Sequence, residues 1–328
     1  MRGLLILLLL GVMAQAAAAG PAPHPDLRLT RRLASLAQKH KGQVALYAKH
    51  LKTGQTVAWN AEVPVKTASV IKLGLLVEAF LEVKEGRRQL GDKVLLRDEE
   101  KVAGSGVLHF AHGGLELTLE DTLWNMIVFS DNTATNLMID VLGTRAVNER
   151  MAALGLGTTW LYKKIGRPAT EPMPPDQKQF GLGKSTAAEM GRLVEWLARC
   201  ELGDPALCRK MIWMMRNQQY RGMLPRFLES QDTTEKETPS YVAAKIGALD
   251  QVRNDVGILY TQAGPIVVAV FTWDNKDTRW NDQNQAEVLI GRLAEEIVRA
   301  WSPKGMQTKG DIPIPAPAPA SAQEPRRF

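Results

Sequence analysis

The sequence predicts a mixed fold, in which an antiparallel five-stranded sheet flanked by terminal helices carries an all-helical insert. Strand-like patterns lie only towards the two ends of the chain, over residues 43–59 and 241–271. The segment between them, 69–217, has mainly helical spacing of its apolar residues. The α/β part is therefore predicted from residues 26–62 and 238–301, and a site is expected in the crevice between the two parts.

The sheet is predicted from five short segments and two helices. Residues 26–40 carry leucines at helical spacing, and strands 43–48 and 55–59 follow, joined by a hairpin signal at Lys52-Thr53-Gly54. Near the other end, three strands are expected, with helix 284–301 closing the domain: 241–245, 256–260 and 265–271.

The helical part is predicted to begin with an apolar helix over residues 69–84. A capping-box pattern at Thr118-Leu119-Glu120-Asp121 starts a second helix, which is interrupted at residues 129–132 and then resumes to Gly143. Residues 157–184 contain many Gly and Pro and predict a long loop, and long loops inside a compact domain are commonly functional. Helices are expected again over 186–197 and 205–217.

Both termini have distinctive compositions. Residues 1–19 combine Arg2, a short apolar run and an Ala-x-Ala pattern, which predicts a cleavable secretory signal, whereas a membrane anchor would need ~20 apolar residues. We expect a periplasmic or secreted monomer with no membrane insertion after cleavage. Residues 302–328 are rich in Pro and Ala and predict a disordered tail.

Charge, cysteine and histidine content limit the function further. The net charge of +6 is scattered over 328 residues, so no nucleic-acid partner is expected. Export would permit a disulfide between Cys200 and Cys208, and two ordinary thiols are the alternative.

His109 and His112 stand three apart without an obvious third ligand, so neither a metal nor another cofactor is expected. The eight Trp lie mostly at apolar periodic positions, which favours a core role.

Four groups of residues carry the chemistry. Ser69 and Lys72 stand three apart at the start of a helix, where a hydroxyl and an amine share a face. A buried lysine can lose its proton and act as a base. The other groups follow in order: Ser130-Asp131-Asn132 at a helix break, Lys245-Ile246-Gly247 on a strand, and Asn254-Asp255 at the start of the next strand.

In this order and setting, the motifs resemble those of class A β-lactamases, which belong to the penicillin-recognising serine hydrolases. The resemblance covers residues 26–301 and implies a serine β-lactamase/D,D-transpeptidase-like fold. It implies that Ser69 is the nucleophile, that Lys72 helps remove its proton, and that Ser130 passes a proton to the lactam nitrogen. Asn132 and Lys245 would bind the substrate, and the N–H groups of Ser69 and Ala248, next to Gly247, would form the oxyanion hole.

Two features depart from the family pattern. Ile246 stands where the family has Thr or Ser, which removes a donor to a substrate carboxylate; Arg253 is either a substitute cation or a solvated turn residue. Glu171, in Thr170-Glu171-Pro172, is either the base that activates the deacylating water or a solvated carboxylate, since Pro175 replaces the Asn expected four residues later. An ion pair between Arg167 and Asp176 would pin this loop.

Three functions remain open from the sequence. The leading one is an exported serine hydrolase that opens β-lactams through acyl-Ser69. The second is a related D,D-peptidase or esterase with slow deacylation, acting on peptidoglycan-like substrates. The third is a non-catalytic cell-wall binding module, in which the tail would be a docking arm.

Overall fold

The computed structural model describes residues 21–169, 172–228, 240–308 and 312. The predicted secretory signal, Glu171 and most of the predicted tail therefore lie outside the described residues. Within the described ranges, no helix has both the length and the apolar character needed to cross a bilayer.

The strands form one large sheet and two small ones. The large sheet has the order β1-β3-β2-β11-β10-β9, in which β1 pairs parallel with β3 and the other pairs are antiparallel. The five-stranded antiparallel sheet is thus confirmed, with a two-residue parallel strand added at one edge. The strands are β1 (His24–Pro25), β2 (Gln43–His50), β3 (Gln55–Trp59), β4 (Val65–Lys66), β5 (Lys93–Leu96), β6 (Leu115–Thr118), β7 (Trp160–Leu161), β8 (Gly183–Ser185), β9 (Val242–Leu249), β10 (Val252–Thr261) and β11 (Gly264–Trp273).

The helices follow the predicted order, with α1 and α9 at the ends of the domain and the others in the middle segment. Helices α5 and α6 have no counterpart in the sequence prediction, and α6 lies within the predicted 157–184 loop. The helices are α1 (Leu27–Gln38), α2 (Lys72–Lys84), α3 (Leu119–Val128), α4 (Asn132–Leu142), α5 (Thr144–Ala153), α6 (Gln177–Phe180), α7 (Ala187–Arg199), α8 (Pro205–Arg216) and α9 (Gln285–Trp301).

The large sheet separates two apolar cores because successive side chains of a strand point to opposite faces. In β11, Val268 and Val270 pack into a core shared with α1 and α9, whereas Val267, Ala269 and Phe271 pack into the core of the helical part. The β11 strand is buried on both faces, which explains its continuous apolar run.

Helix α2 lies at the centre of the helical part. All of its residues from Lys72 to Glu82 are buried. The amine of Lys72, the first residue of the helix, is therefore removed from water. The predicted capping box begins α3, with Thr118 and Asp121 bonding reciprocally. The predicted break follows at residues 129–131, after which Asp131 caps α4.

The structure also resolves two details at the edges of the domain. Cys200 and Cys208 form a disulfide between α7 and α8, which confirms the disulfide alternative. Residues 302–308, within the predicted tail, are attached to β10: Gln307 N donates to Tyr260 O at 2.9 Å, and Met306 is buried. The ordered domain therefore continues past α9.

Candidate active site

Ser69 lies on a tight 3-10 turn, Ala68–Ile71, which leads directly into α2. Ala68, just before it, has a φ of 45°, a conformation that non-glycine residues adopt rarely and that often marks functional sites. Ser69 is half-buried and faces a cleft between the sheet and the helical part. Its side chain has no hydrogen-bond partner within the described ranges, so the Ser69–Lys72 contact expected from the spacing is not formed here.

Lys72 points instead to Ser130. Its Nζ donates to Ser130 O at 2.7 Å and to Asn132 Oδ1 at 3.2 Å, and it lies 3.2 Å from Ser130 Oγ. From the opposite side, Lys245 Nζ donates to the same Ser130 Oγ at 2.8 Å. The Ser130 hydroxyl is therefore held between two amines that the sequence places 173 residues apart (245 − 72).

The two amines share a buried environment, and each has a lowered pKa. Burial lowers the pKa of Lys72 well below its usual range, and the charge of Lys245 lowers it further, while Asp131 opposes both effects. Burial also lowers the pKa of Lys245, to about 7, and the Asp255 carboxylate opposes that change. Burial and mutual repulsion both disfavour the state in which the two amines are charged together, so a neutral amine is accessible in this site.

Asp131 and Asn132 fix the turn that carries Ser130. The buried Asp131 carboxylate accepts from three backbone N–H groups, those of Val107 at 2.6 Å, Leu108 at 2.8 Å and Ala134 at 2.8 Å. Asn132 Nδ2 donates to Ala103 O at 3.2 Å. Ser130 has a φ of 53°, and these bonds hold the strained conformation.

Strand β9 forms the opposite wall of the cleft and is the edge strand of the large sheet. Gly247 lets this strand approach the Ser69 turn, since a Cβ at this position would lie 2.4 Å from Thr67 O and 3.0 Å from Ser69 N. In the neighbouring strand, Asn254 Nδ2 donates to Lys66 O at 2.9 Å and Thr67 O at 3.1 Å. The Lys-x-Gly and Asn-Asp motifs therefore both position the Ser69 turn.

Arg253 does not reach the cleft. Its guanidinium is buried, donates through Nε to Glu287 Oε1 at 2.8 Å, and stacks 4.4 Å from the ring centre of Trp280. The structure thus gives it neither of the roles considered from the sequence, substitute cation or solvated turn residue. It supports Trp280, which is 65% exposed at the cleft and contradicts a core role for that tryptophan.

Two cavities meet at Ser69. Both are lined by Ser69, Ser105 and Ala248. The larger, about 640 Å³, lies towards Ser130 and is lined also by Tyr220, Met223, Ile246 and Trp280. The smaller, about 360 Å³, lies towards Asn132 and the 163–182 loop. The sequence assigns Ser105 no role, although it lies in a segment, 101–108, that resembles the family, and Tyr220 belongs to no recognisable motif.

The 163–182 loop is held differently from the prediction. Asn136 clamps the backbone of Ile165, donating to its carbonyl at 3.0 Å and accepting its N–H at 2.8 Å. The expected Arg167–Asp176 ion pair is wrong: Asp176 pairs with Lys184 at 2.6 Å, because β8 lies beside it, while Arg167 donates to the carbonyls of Glu99 and Lys101. Glu171, the candidate base, falls outside the described residues.

His112 lies near the Asp98 carboxylate, which pairs with Lys101 at 2.6 Å. His109 stacks on Phe110, and across the described ranges no group of three His, Cys, Asp or Glu side chains is placed to hold a metal ion.

Residues 28–301 match the model of the Beta-lactamase enzyme family. The chain belongs to this family. A solved β-lactamase from Sphaerobacter thermophilus is 32% identical, with a TM-score of 0.72 over 84% of this chain and 98% of that one. A β-lactamase of Streptomyces fradiae is 26% identical over 306 residues, which are 88% of this chain and 92% of that protein.

A second solved relative matches at the level of the fold. A variant of PBP-A, crystallised as an acyl-enzyme complex with penicillin G, is 23% identical, with a TM-score of 0.72 over 86% of this chain and 99% of that one. The expected fold class is therefore confirmed, and the chain is a β-lactamase-like hydrolase.

Proposed function

We propose that this protein opens β-lactams by forming an acyl-enzyme on Ser69. One observation carries the proposal: two buried lysines with lowered pKa converge on the Ser130 hydroxyl, at a cleft that also contains Ser69. Both amines are within hydrogen-bond reach of the Ser130 hydroxyl, as proton transfer during acyl transfer requires, and Ser69 lines the same cleft.

In the proposed acylation, neutral Lys72 takes the Ser69 proton, directly or through Ser130, while Ser69 Oγ bonds to the lactam carbonyl carbon. The negative charge on the carbonyl oxygen is stabilised by the N–H groups of Ser69 and Ala248. When the C–N bond breaks, Ser130 donates its proton to the nitrogen and is reprotonated from Lys72. Charged Lys245 stabilises the Ser130 oxygen during the transfer.

Asn132 and Lys245 are proposed to contact the substrate, and Gly247 to keep Ala248 close to Ser69. Arg253 is left out of this set because its guanidinium is buried and paired. For release of the acyl group, Glu171 is retained as the proposed base that activates water. The exported location, periplasmic or secreted after cleavage of residues 1–19, is likewise a proposal.

The second candidate is a penicillin-binding peptidase or esterase that releases its acyl group slowly. It is favoured by the loop sequence, in which Pro175 replaces the Asn expected four residues after Glu171. Ile246 favours it too, because an isoleucine cannot donate to the carboxylate of a β-lactam.

The test is intact-mass spectrometry of the purified mature protein during exposure to penicillin G. Acylation predicts a mass increase of one penicillin in the wild type and none in Ser69→Ala, and transient labelling with continuing turnover identifies a β-lactamase. A persistent adduct identifies the second candidate. In the turnover case, Glu171→Gln is expected to prolong the adduct about 100-fold or more. Failure of the wild type to label at all would reject the proposal.

A further inference from the structure

The two cavities beside Ser69 differ in the polar groups that line them. Ser130 lines the larger cavity and Asn132 lines the smaller one. In the function proposed above, Ser130 gives its proton to the lactam nitrogen, so the ring that carries this nitrogen occupies the larger cavity. The volume of that cavity, about 640 Å³, is typical of pockets for drug-sized ligands and leaves room for substituents on the ring.

An exposed tryptophan lines this larger cavity. Trp280 lies in the loop 274–284, between β11 and α9, and is 65% exposed. Covering an indole ring with a ligand removes a large apolar surface from water, which is favourable. Because single exposed apolar side chains are common in proteins, the setting of Trp280 decides whether it has a binding role.

The ring of Trp280 is held in one orientation from two sides. Its Nε1 donates to Asp250 Oδ1 at 3.0 Å, and the Arg253 guanidinium lies over one face, 4.4 Å from the ring centre. Arg253 is itself buried and paired with Glu287 at 2.8 Å. The exposed surface of Trp280 therefore includes the opposite face of the ring.

The backbone next to Trp280 is fixed as well. The carbonyl of Arg279 accepts from Arg253 Nη2 at 2.8 Å and from Asn284 Nδ2 at 2.8 Å. Asn284 is buried and also caps α9. Since the side chain and its backbone are both held before a substrate binds, little further ordering of this residue is needed on binding.

Other walls of the larger cavity add to the apolar surface of Trp280. Its other large apolar or aromatic lining residues, in the described part of the chain, are Tyr220, Met223 and Ile246. The described charged residues that line it are Arg221, Asp282 and Glu287, the last of which is paired with Arg253. Apolar contacts thus come from three segments of the chain, which favours an aromatic substituent over a small polar one.

We propose that Trp280 determines specificity by stacking its exposed face on an aromatic substituent of the ring that carries the lactam nitrogen. This inference rests on the proposed Ser69 chemistry and adds a substrate class to it: β-lactams with an aromatic group on the leaving-nitrogen side of the bond that breaks. It places no demand on the ring carboxylate, which such β-lactams carry with or without the aromatic group.

The experiment compares two cephalosporins, nitrocefin and cefalotin, which share the thienylacetamido acyl side chain and the ring carboxylate. Nitrocefin carries a dinitrostyryl group on the six-membered ring, where cefalotin carries an acetoxymethyl group. The second-order rate of ring opening by the mature protein is followed by absorbance, after subtraction of the rate with Ser69→Ala. The ratio of the two rates is compared between variants, so that the fraction of active protein and the intrinsic reactivity of each compound cancel.

The variants are Trp280→Leu, Trp280→Phe and, as the matched control, Trp213→Leu. Trp213 is 46% exposed on α8 and is not among the described lining residues of either cavity beside Ser69. Trp280→Leu should lower the nitrocefin-to-cefalotin ratio about five- to tenfold, through loss of one aromatic stack and the area that it buries. Trp280→Phe should give an intermediate ratio because a smaller ring remains, and Trp213→Leu should keep the wild-type ratio.

Two kinds of result would overturn the inference, and they are distinct from one another. If Ser69 opens both compounds and Trp280→Leu keeps the wild-type ratio, or Trp213→Leu lowers the ratio equally, the role of Trp280 is rejected and the proposed function stands. If neither cephalosporin nor penicillin G reacts with Ser69, the function and the inference are rejected together.

Discussion

The two sides of Ser69 differ in how many of the groups needed for a chemical step the structure describes there. On the Ser130 side, the structure brings together the groups proposed for acylation: two buried amines, a hydroxyl between them and a carboxylate that fixes the turn. On the side of the 163–182 loop, the described lining residues include Lys163 and Lys164. Asn136 bonds to both backbone groups of Ile165, which lines the same cavity.

This difference separates two steps that are often treated as one activity. Forming an acyl-enzyme needs a base, a proton donor and an oxyanion site, whereas hydrolysing it also needs an activated water. The described structure supports the first set of groups strongly. In the proposed function the second step depends on Glu171, so a change on either side of Ser69 should affect one step and not the other.

The largest expected effect is on the acylation side. Lys72→Met should lower the second-order rate of acylation by penicillin G about 100- to 10,000-fold, the usual contribution of a general base. Met fills a similar volume, and Asp131 keeps its three backbone donors, so the fold should persist. Mass spectrometry gives the rate, and thermal melting gives the control for folding. Lys72→Arg should be equally slow because its side chain stays protonated; acylation at the wild-type rate in either variant would contradict the proposed base.

The next effect concerns release. Where release is slow, as in the second candidate, Ile165→Glu should speed loss of the acyl group about 100-fold, because it puts a carboxylate on the clamped segment of the cavity wall beside Ser69. The adduct lifetime after removal of excess penicillin G is the measurement, with Ile165→Gln as the uncharged control. An equal gain in both variants would show that shape, and not a base, limits release.

A smaller effect is expected from pH. Burial lowers the pKa of Lys245 to about 7, so its charged form is lost as the pH rises through that value. Acylation should therefore fall about tenfold per pH unit above 7, once the charge that stabilises the Ser130 oxygen is gone. Lys245→Arg should move this decline to higher pH because arginine stays protonated. A decline at the same pH in that variant would assign it to another group.

The smallest effect concerns Ile246. Ile246→Thr would place a hydroxyl in the larger cavity, and penicillin G, whose leaving nitrogen is part of a carboxylate-bearing ring, should acylate up to about tenfold faster. Ile246→Val tests whether reduced size alone gives the gain. The rate should be unchanged in that control.

The fold was largely predictable because its signals are local. The alternating pattern of the strands, the capping box at Thr118 and the break before Asn132 each involve neighbouring residues, and each appears in the structure where expected. Helix α5 was missed because its apolar residues are few, with Val147 and Met151 buried among charged neighbours. The short strand β1 was missed because two residues carry no periodicity.

The sequence by itself determined which side chains could do the chemistry and their order along the chain. It could not determine which of them meet. The contact of Lys72 and Lys245 with Ser130, the burial that lowers both pKa values, and the withdrawal of Arg253 to Glu287 all depend on residues far apart in the chain. Desolvation and ion pairing are properties of the packed environment, so only the tertiary structure decided them.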